Sequence, residues 1–260
     1  MYVVLQRKHV FVFLIAVLSA FGLLVGMSSV IGENKSDERL PAFAHSHKVG
    51  EYKIYLTFDD GPSPTTDKVL DVLKEHEIKG TFFVIGPEDN EPSIYNRIID
   101  EGHSMGLHSF SHKTDIIYRT SQEYIEDFER LRDYIFKQTG TIPDFCRMVG
   151  GSNSRHCTKR TRQEIVNYFT KNGYKCYDWD IDPKDSGAYA LSAVDIAQNI
   201  INEAQKMPDR DLVILLHDDK IRKTLPDALK IVIPYFIEQG YEFSTLSANT
   251  VLNGSSAAVN

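Results

Sequence analysis

The sequence predicts an α/β protein in which parallel strands alternate with helices. Seven apolar, β-rich runs follow residue 50, and segments with helical spacing separate most of them. Ionisable residues follow five of these runs, as expected where parallel strands end at one functional face. The runs would form either an open doubly wound sheet or a barrel.

The predicted strands span residues 54–58, 81–85, 104–107, 145–149, 174–181, 212–216 and 241–246. Four segments repeat apolar residues at spacings of three and four, as amphipathic helices do: TTDKVLDVLKEHE, SQEYIEDFERLRDYIFKQTG, SAVDIAQNIINEAQ and TLPDALKIVIPYFIEQG. Several of these segments begin with Ser or Thr, which can cap free N–H groups. Gly140 closes the second segment as a C-cap.

The first 32 residues predict a membrane anchor. Arg7, Lys8 and His9 precede an uncharged apolar run over residues 10–32, which at about 1.5 Å per residue can cross a hydrocarbon core of about 30 Å. A cleaved signal peptide is the alternative, but its apolar core spans about 7–15 residues. The basic residues favour an N-terminus inside and the rest of the chain outside. We therefore predict a single-pass protein of the cell membrane, or a secreted protein if the run is cleaved.

The remaining chain divides into three parts. Residues 33–50 are polar, contain Pro41 and predict a linker. Residues 51–248 contain the predicted strands and helices, and residues 249–260 predict a flexible tail. A net charge of −7 argues against a nucleic-acid partner, and nothing indicates an obligate protein partner. The three cysteines, Cys146, Cys157 and Cys176, exclude a closed disulfide framework and leave one disulfide with one free thiol as an alternative. Their spacing is not that of a zinc site or redox pair, which favours buried or incidental thiols.

Two histidines predict a metal site once a carboxylate joins them. His108 and His112 are four residues apart, so on a helical turn their side chains would share one face. Two imidazoles and one carboxylate make a three-ligand site with open positions. The two histidines alone are weak evidence for a metal site, because Ser109 is at the position where zinc proteases carry Glu. The doublet of Asp59 and Asp60 strengthens it, since one carboxylate can bind the metal while its neighbour acts as a base.

Three further strand ends complete the predicted site. Arg147 follows the fourth run, and beside a carboxylate it would orient that group. His217 follows the sixth run and could donate a proton if it faces a carboxylate. Asp185 is the favoured partner and Asp182 the alternative. Trp179 is an aromatic of the core or of the site wall, or packs against a sugar face.

These stretches together resemble the polysaccharide deacetylases of the NodB-homology type, carbohydrate esterase family four. Five segments match the family's motifs in order: TFDDGP, HSFSH, CRMVGGSN, DWDIDPKD and LLHD. The resemblance spans about residues 51–248. It implies a distorted (β/α) barrel of about seven parallel strands, one divalent metal and hydrolysis of an acetamido group on a sugar. Zn²⁺ is the usual metal, with Co²⁺, Ni²⁺ or Mn²⁺ as alternatives.

The resemblance also implies a role for each residue. Asp59 would be the general base, His217 the general acid tuned by Asp185, and Arg147 the group that orients Asp59. A backbone N–H near Gly150 would help to hold the oxyanion. The metal ligands would be Asp60, His108 and His112.

Val149 departs from the family, which usually carries Pro two residues after the arginine. The departure predicts a less rigid loop and an altered groove wall. The glycines that follow resemble a subgroup linked to bacterial cell walls, so the expected substrate is peptidoglycan. Two alternatives stay open: an esterase for O-acetyl groups of a xylan-like polymer, and a protein that binds wall glycans without hydrolysing them.

Overall fold

Seven parallel strands form one sheet in this computed structural model, which describes residues 48–87, 92–187 and 189–259. The central strands are buried along almost their whole length, which is why their sequences are continuous apolar runs. The strands are β1 (Lys53–Asp59), β2 (Thr81–Ile85), β3 (Ser104–Ser109), β4 (Phe145–Cys146), β5 (Lys175–Cys176), β6 (Leu212–His217) and β7 (Glu242–Phe243).

The sheet curls into a distorted barrel. Its order is β5-β4-β3-β2-β1-β6, and β7 pairs with the start of β1. After β5 the chain continues across to the other end of the sheet, where Ile181 forms a parallel bridge with Ile214 of β6. The resulting interior is filled by apolar side chains, among them Tyr55, Phe83 and Phe145. The predicted α/β class and distorted barrel are therefore confirmed.

Helices cover the outside of the described sheet, and polar side chains fix where several of them begin. Ser63, Thr120, Thr158 and Ser192 each accept a hydrogen bond from a backbone N–H in the first turn of a helix. Gly140 adopts a left-handed φ of 71° as the predicted C-cap. The helices are α1 (Pro64–Glu75), α2 (Pro92–Asp100), α3 (Thr114–Ile117), α4 (Ser121–Thr139), α5 (Lys159–Lys171), α6 (Ala193–Ala204) and α7 (Leu225–Glu238).

Three predicted strands are much shorter than expected. The predicted runs 145–149, 174–181 and 241–246 contain only two residues of regular strand each. The chain leaves the ladder at Met148 to form a turn, closed by a hydrogen bond from the Gly151 N–H to the Met148 carbonyl. Further along, the N–H of Asp178 bonds to the C-terminal segment instead of to a neighbouring strand. Apolar content alone does not reveal these departures.

The C-terminal segment is docked, which corrects the prediction of a flexible tail from residue 249. Ala258 forms an antiparallel bridge with Tyr177, and Ala257 is buried. The side chain of Asp180 accepts a hydrogen bond from Ser255 Oγ at 2.6 Å. The segment thus pairs with the chain at the β5 edge, whose backbone groups need partners.

The predicted anchor over residues 1–32 and almost all of the predicted linker lie outside the described residues. Among the residues that are described, none of the helices is long and apolar enough to cross a membrane. All three cysteines are free thiols. Cys146 and Cys176 are paired in register between β4 and β5, with their thiols in hydrogen-bond contact.

Candidate active site

The aspartate doublet marks the end of β1. Asp59 is the last strand residue and is buried, whereas Asp60 has a left-handed φ of 74°. Left-handed backbone is unfavourable for a residue with a side chain and is often found at functional sites. The turn ends the alternation of the strand, so both carboxylates approach His108 Nε2, at 3.8 Å from Asp59 and 3.5 Å from Asp60.

Gly61 and the buried Asp218 hold this turn in its conformation. A Cβ on Gly61 would lie 2.5 Å from a carboxylate oxygen of Asp218, so only glycine fits there. The N–H of Asp218 donates to the Asp59 carbonyl at 3.0 Å, and its carboxyl accepts from Thr66 at 2.5 Å. Burial raises the pKa of Asp218 to about 8. Asp218 is the last residue of the LLHD segment, and the sequence alone assigned it no role.

His108 and His112 converge on Asp60, but not through a helix. His108 is in β3, and His112 lies in the following loop with a left-handed φ of 52°, so the expectation of a helical turn is wrong. Nδ1–H of His108 donates to the Arg147 carbonyl at 2.8 Å, which leaves Nε2 directed toward Asp60. The Nε2 atoms of His108 and His112 lie 3.5 Å and 3.0 Å from Asp60 Oδ1.

These three residues fit a divalent cation. Their ligand atoms all lie within 4.8 Å of one another, and two nitrogens with a carboxylate oxygen are donors that Zn²⁺ prefers. Asp60 Oδ1 is buried and receives no hydrogen bond of normal geometry from the described residues. Burial alone would raise the pKa of Asp60, but the neighbouring imidazoles of His112 and His108 hold it well below its usual range. The carboxylate is therefore ready to bind a cation.

Asp127 of α4 supports the histidine loop, and no sequence pattern pointed to this role. Its Oδ2 accepts hydrogen bonds from Ser109 Oγ at 2.6 Å and from the Phe110 N–H at 2.7 Å. Its Oδ1 accepts from the Ser111 N–H at 3.0 Å. Ser109 Oγ in turn accepts from the His112 N–H at 2.9 Å. One carboxylate on a distant helix thus holds the backbone between the two histidines.

We expect Asp127→Asn to weaken Zn²⁺ binding about 10- to 100-fold, as changes behind metal ligands typically do. The amide nitrogen cannot accept, so at least one of the three donors loses its partner. Isothermal titration calorimetry of the chelator-treated protein measures the dissociation constant. Glu126→Gln, at the exposed neighbouring position, is the matched control. An unchanged dissociation constant in a folded Asp127→Asn protein would contradict this role.

Arg147 lies behind the doublet and is fully buried. Its Nη1 donates to Asp59 Oδ1 at 2.8 Å and to Thr57 Oγ1 at 2.7 Å. Nε and Nη2 donate to the backbone carbonyls of Tyr177 and Asp178. The guanidinium thereby fixes Asp59 through Oδ1 and leaves Oδ2 toward the histidines, 3.8 Å from His108 Nε2.

His217 lies at the end of β6. Its Cα is in register with that of Asp59, because β1 and β6 are neighbours. Nδ1 of His217 lies 2.7 Å from Asp185 Oδ1, and its backbone N–H donates to Asp185 Oδ2. Burial alone would lower the pKa of His217, but the hydrogen bond and charge of Asp185 and the charges of Asp60 and Asp59 raise it to about 9. Asp182 bonds to Lys184 instead, so Asp185 is the partner.

Gly150 lies in the turn that follows Arg147, and Trp179 lies against the same turn. Gly150 has a left-handed φ of 72° in the turn over residues 148–151. The Trp179 ring lies against Gly151, where a Cβ would be 2.9 Å away, and 5.6 Å from the Arg147 guanidinium. Trp179 also lines a polar cleft with Asp182 and Lys184. Trp179 is therefore near Arg147, and the roles of both residues remain predictions.

Comparison with known proteins agrees with this geometry. A family model described as polysaccharide deacetylase matches residues 46–169. A peptidoglycan-N-acetylglucosamine deacetylase of Bacillus cereus is 34% identical over 194 residues, which cover 73% of this chain and 67% of the relative. The chain belongs to the polysaccharide deacetylase family.

Other members of the polysaccharide deacetylase family extend the likeness across the whole described domain. The peptidoglycan-N-acetylmuramic acid deacetylase PdaA of Bacillus subtilis is 32% identical, covering 75% of this chain and 70% of PdaA. The catalytic domain of a peptidoglycan N-acetylglucosamine deacetylase from Eubacterium rectale superposes with a TM-score of 0.72 at 30% identity. The superposition covers 82% of this chain and 98% of that domain. The predicted family is confirmed.

Proposed function

We propose that this polysaccharide deacetylase removes N-acetyl groups from an N-acetylglucosamine-type polymer, most simply cell-wall peptidoglycan, with the help of a divalent metal. One observation carries the proposal. Asp59 and His217 end neighbouring strands in register, and Asp60, which directly follows Asp59, converges with His108 and His112 of the β3 end on one possible cation site. A base and an acid therefore flank a cation site. The names of the similar peptidoglycan deacetylases support this substrate class.

Asp60, His108 and His112 would hold the cation. When bound, a divalent cation supplies Lewis acidity that polarises the acetamido carbonyl and lowers the pKa of water. Zn²⁺ is the favoured ion because two imidazole nitrogens and one carboxylate oxygen form the donor set. Co²⁺, Ni²⁺ and Mn²⁺ are the alternatives.

Proton transfers fall to Asp59 and His217. Asp59 accepts a proton from the attacking water through Oδ2, because Arg147 already binds Oδ1. His217 donates its Nε2 proton to the departing sugar amine, because Nδ1 is engaged with Asp185. Water thus adds across the amide C–N bond, and the products are acetate and the free amine. The N–H of Gly150 is the proposed oxyanion donor, since that of Gly151 closes the turn.

The proposed location of the protein in the cell rests on the N-terminal sequence. An anchor over residues 10–32 in the bilayer would place the catalytic domain outside the membrane, where wall glycans are accessible. The uncharged run and the preceding basic residues support this placement. Cleavage of the run would instead release the domain as a secreted enzyme.

Acetate release tests the proposed function. The purified chain is incubated with peptidoglycan, with N-acetylglucosamine oligomers and with O-acetylated xylan, before and after treatment with a chelator. We expect release from the first two substrates, loss of release with chelator, and recovery when Zn²⁺ is added back. Release from xylan alone would indicate an O-acetyl esterase. Binding of glycans without release at any metal loading would indicate a glycan-binding protein.

A further inference from the structure

Two buried tyrosines bracket the backbone of Val149. The Val149 N–H donates to Tyr124 Oη at 3.3 Å, and Tyr118 Oη donates to the Val149 carbonyl at 2.7 Å. Tyr118 is 4% exposed and Tyr124 is 2% exposed, and their ring centroids are 5.0 Å apart. The two hydroxyls therefore hold the peptide groups on both sides of one residue. We call this pair the tyrosine clamp.

The clamped residue occupies the second position of a tight turn. The turn spans residues 148–151, with Gly150 at the third position and a positive φ there. A positive φ at the third position characterises a type II turn, whose second position favours proline. Val149 stands at that second position, which is where the family usually carries proline. Valine keeps an N–H that proline lacks, and this N–H is the group that Tyr124 binds.

The turn is directly connected to the candidate active site. Arg147 precedes it by one residue, and the Arg147 carbonyl accepts the hydrogen bond that orients His108. Gly150 lies within the turn. A shift of the turn would consequently move the guanidinium that binds Asp59 and the carbonyl that fixes a metal ligand.

We propose that Tyr124 and Tyr118 are positioning residues that hold the turn after Arg147 by two hydrogen bonds, in place of the restraint that a proline ring would give. Their effect on catalysis rests on the function proposed above. Their effect on the turn does not, because it concerns hydrogen bonds within the protein. Val149 predicted a less rigid loop. We infer instead that the hydroxyls of Tyr124 and Tyr118, which lie outside the turn, restrain it.

Simple core packing is the competing explanation, and a double-mutant cycle separates the two. Tyr124→Phe removes the hydroxyl and keeps the ring. Val149→Pro removes the N–H and puts ring carbon Cδ close to the Tyr124 hydroxyl. If the clamp is real, proline is unfavourable opposite the tyrosine hydroxyl and acceptable in the Tyr124→Phe background, where that hydroxyl is gone. If the rings only pack, the two changes act independently.

The cycle compares the parent, both single variants and the double variant by thermal unfolding and by acetate release. In the parent, we expect Val149→Pro to lower the melting temperature and to reduce kcat about tenfold. In the Tyr124→Phe background, we expect Val149→Pro to reduce kcat less than about twofold and to lower the melting temperature by less than in the parent. Additive effects in both measurements would overturn the proposal. Melting needs no substrate, so the clamp can be tested even if the parent releases no acetate.

Tyr95→Phe is the matched control. Tyr95 is fully buried and donates its hydroxyl to the Ile85 carbonyl at 2.7 Å, the same distance as in the Tyr118 bond. We expect its effect on melting temperature to add to that of Val149→Pro. If Val149→Pro does not fold, amide hydrogen exchange replaces the cycle. Exchange of the Val149 N–H should then be at least about tenfold faster in Tyr124→Phe than in Tyr95→Phe, and equal rates would overturn the proposal.

Discussion

Replacing Asp59 with Asn is expected to lower kcat by about a thousandfold or more and to leave Zn²⁺ binding nearly unchanged. A general base contributes about 10²- to 10⁴-fold, and the amide cannot accept the proton of water. Asp59 is not one of the three clustered ligand residues, so the cation should remain. Rates of acetate release and a calorimetric titration with Zn²⁺ measure the two effects separately.

Two further variants sharpen this test. His112→Ala should lose Zn²⁺ affinity together with activity, because it removes one of the three ligand residues. Asp182→Asn should retain activity, because Asp182 bonds to Lys184 outside the proposed chemistry. If Asp59→Asn kept more than about a tenth of the parental rate, Asp59 would not be the base.

The Asp59→Asn protein should also be less stable. Arg147 is completely buried, and Asp59 is its only carboxylate partner among the described residues. Removing one member of a buried ion pair typically costs about 3 kcal/mol or more. Urea unfolding measures this loss, and activity is best compared well below the lowered melting temperature. Equal stability would mean that Asn still satisfies the guanidinium.

Replacing Asp185 with Asn should shift the alkaline limit of activity to lower pH. In the parent, the pKa of His217 is about 9. A bound cation would lower this pKa, because its positive charge would offset the negative charges of Asp59 and Asp60. Without Asp185, burial dominates and the pKa falls toward or below its ordinary value of about 6.5. At pH 8 we expect kcat to fall more than about tenfold. A pH–rate profile that keeps its alkaline limit would contradict the assignment.

Stability supplies an independent readout of the same pair. The folded protein binds the His217 proton more tightly than the unfolded chain, so this stabilisation is complete below about pH 6.5. It disappears as pH rises through about 9, and it amounts to about 3 kcal/mol. Urea unfolding at pH 6 and pH 10 in chelator should show a larger loss in the parent than in Asp185→Asn, because the raised pKa of Asp218 contributes its own loss to both proteins. The same slope in both proteins would exclude His217 as its source.

The sequence could predict the strand ends because burial and chemistry agree there. Buried parallel strands must be apolar throughout, so Asp59 and His217 stand out where such runs stop. The conformation of the loop between His108 and His112 could not be predicted from the sequence. His108 and His112 have the spacing of one helical turn, yet a loop brings them together, and that loop depends on Asp127 eighteen residues beyond Ser109.

Hydrogen bonds to backbone groups far away in the sequence could not be predicted from the sequence. Asp127 looks like any polar residue on an amphipathic helix, and Tyr124 looks like a core aromatic. Their hydroxyl or carboxylate oxygens matter because loop N–H groups point at them. The C-terminal segment is similar, since its small residues dock through backbone pairing and offer no apolar pattern.

The position of β1 within the sheet has a consequence for how the chain matures. β6 pairs with β1 from Ile54 to Asp59 although more than 150 residues separate them. A nascent chain that has left the ribosome only up to the end of α5 therefore lacks β6. One whole edge of its strand β1 would be unpaired and open to aggregation. Contacts this distant in sequence also slow folding. The two proposed proton carriers, Asp59 and His217, are brought together only when β6 docks, so no shorter intermediate should turn over substrate.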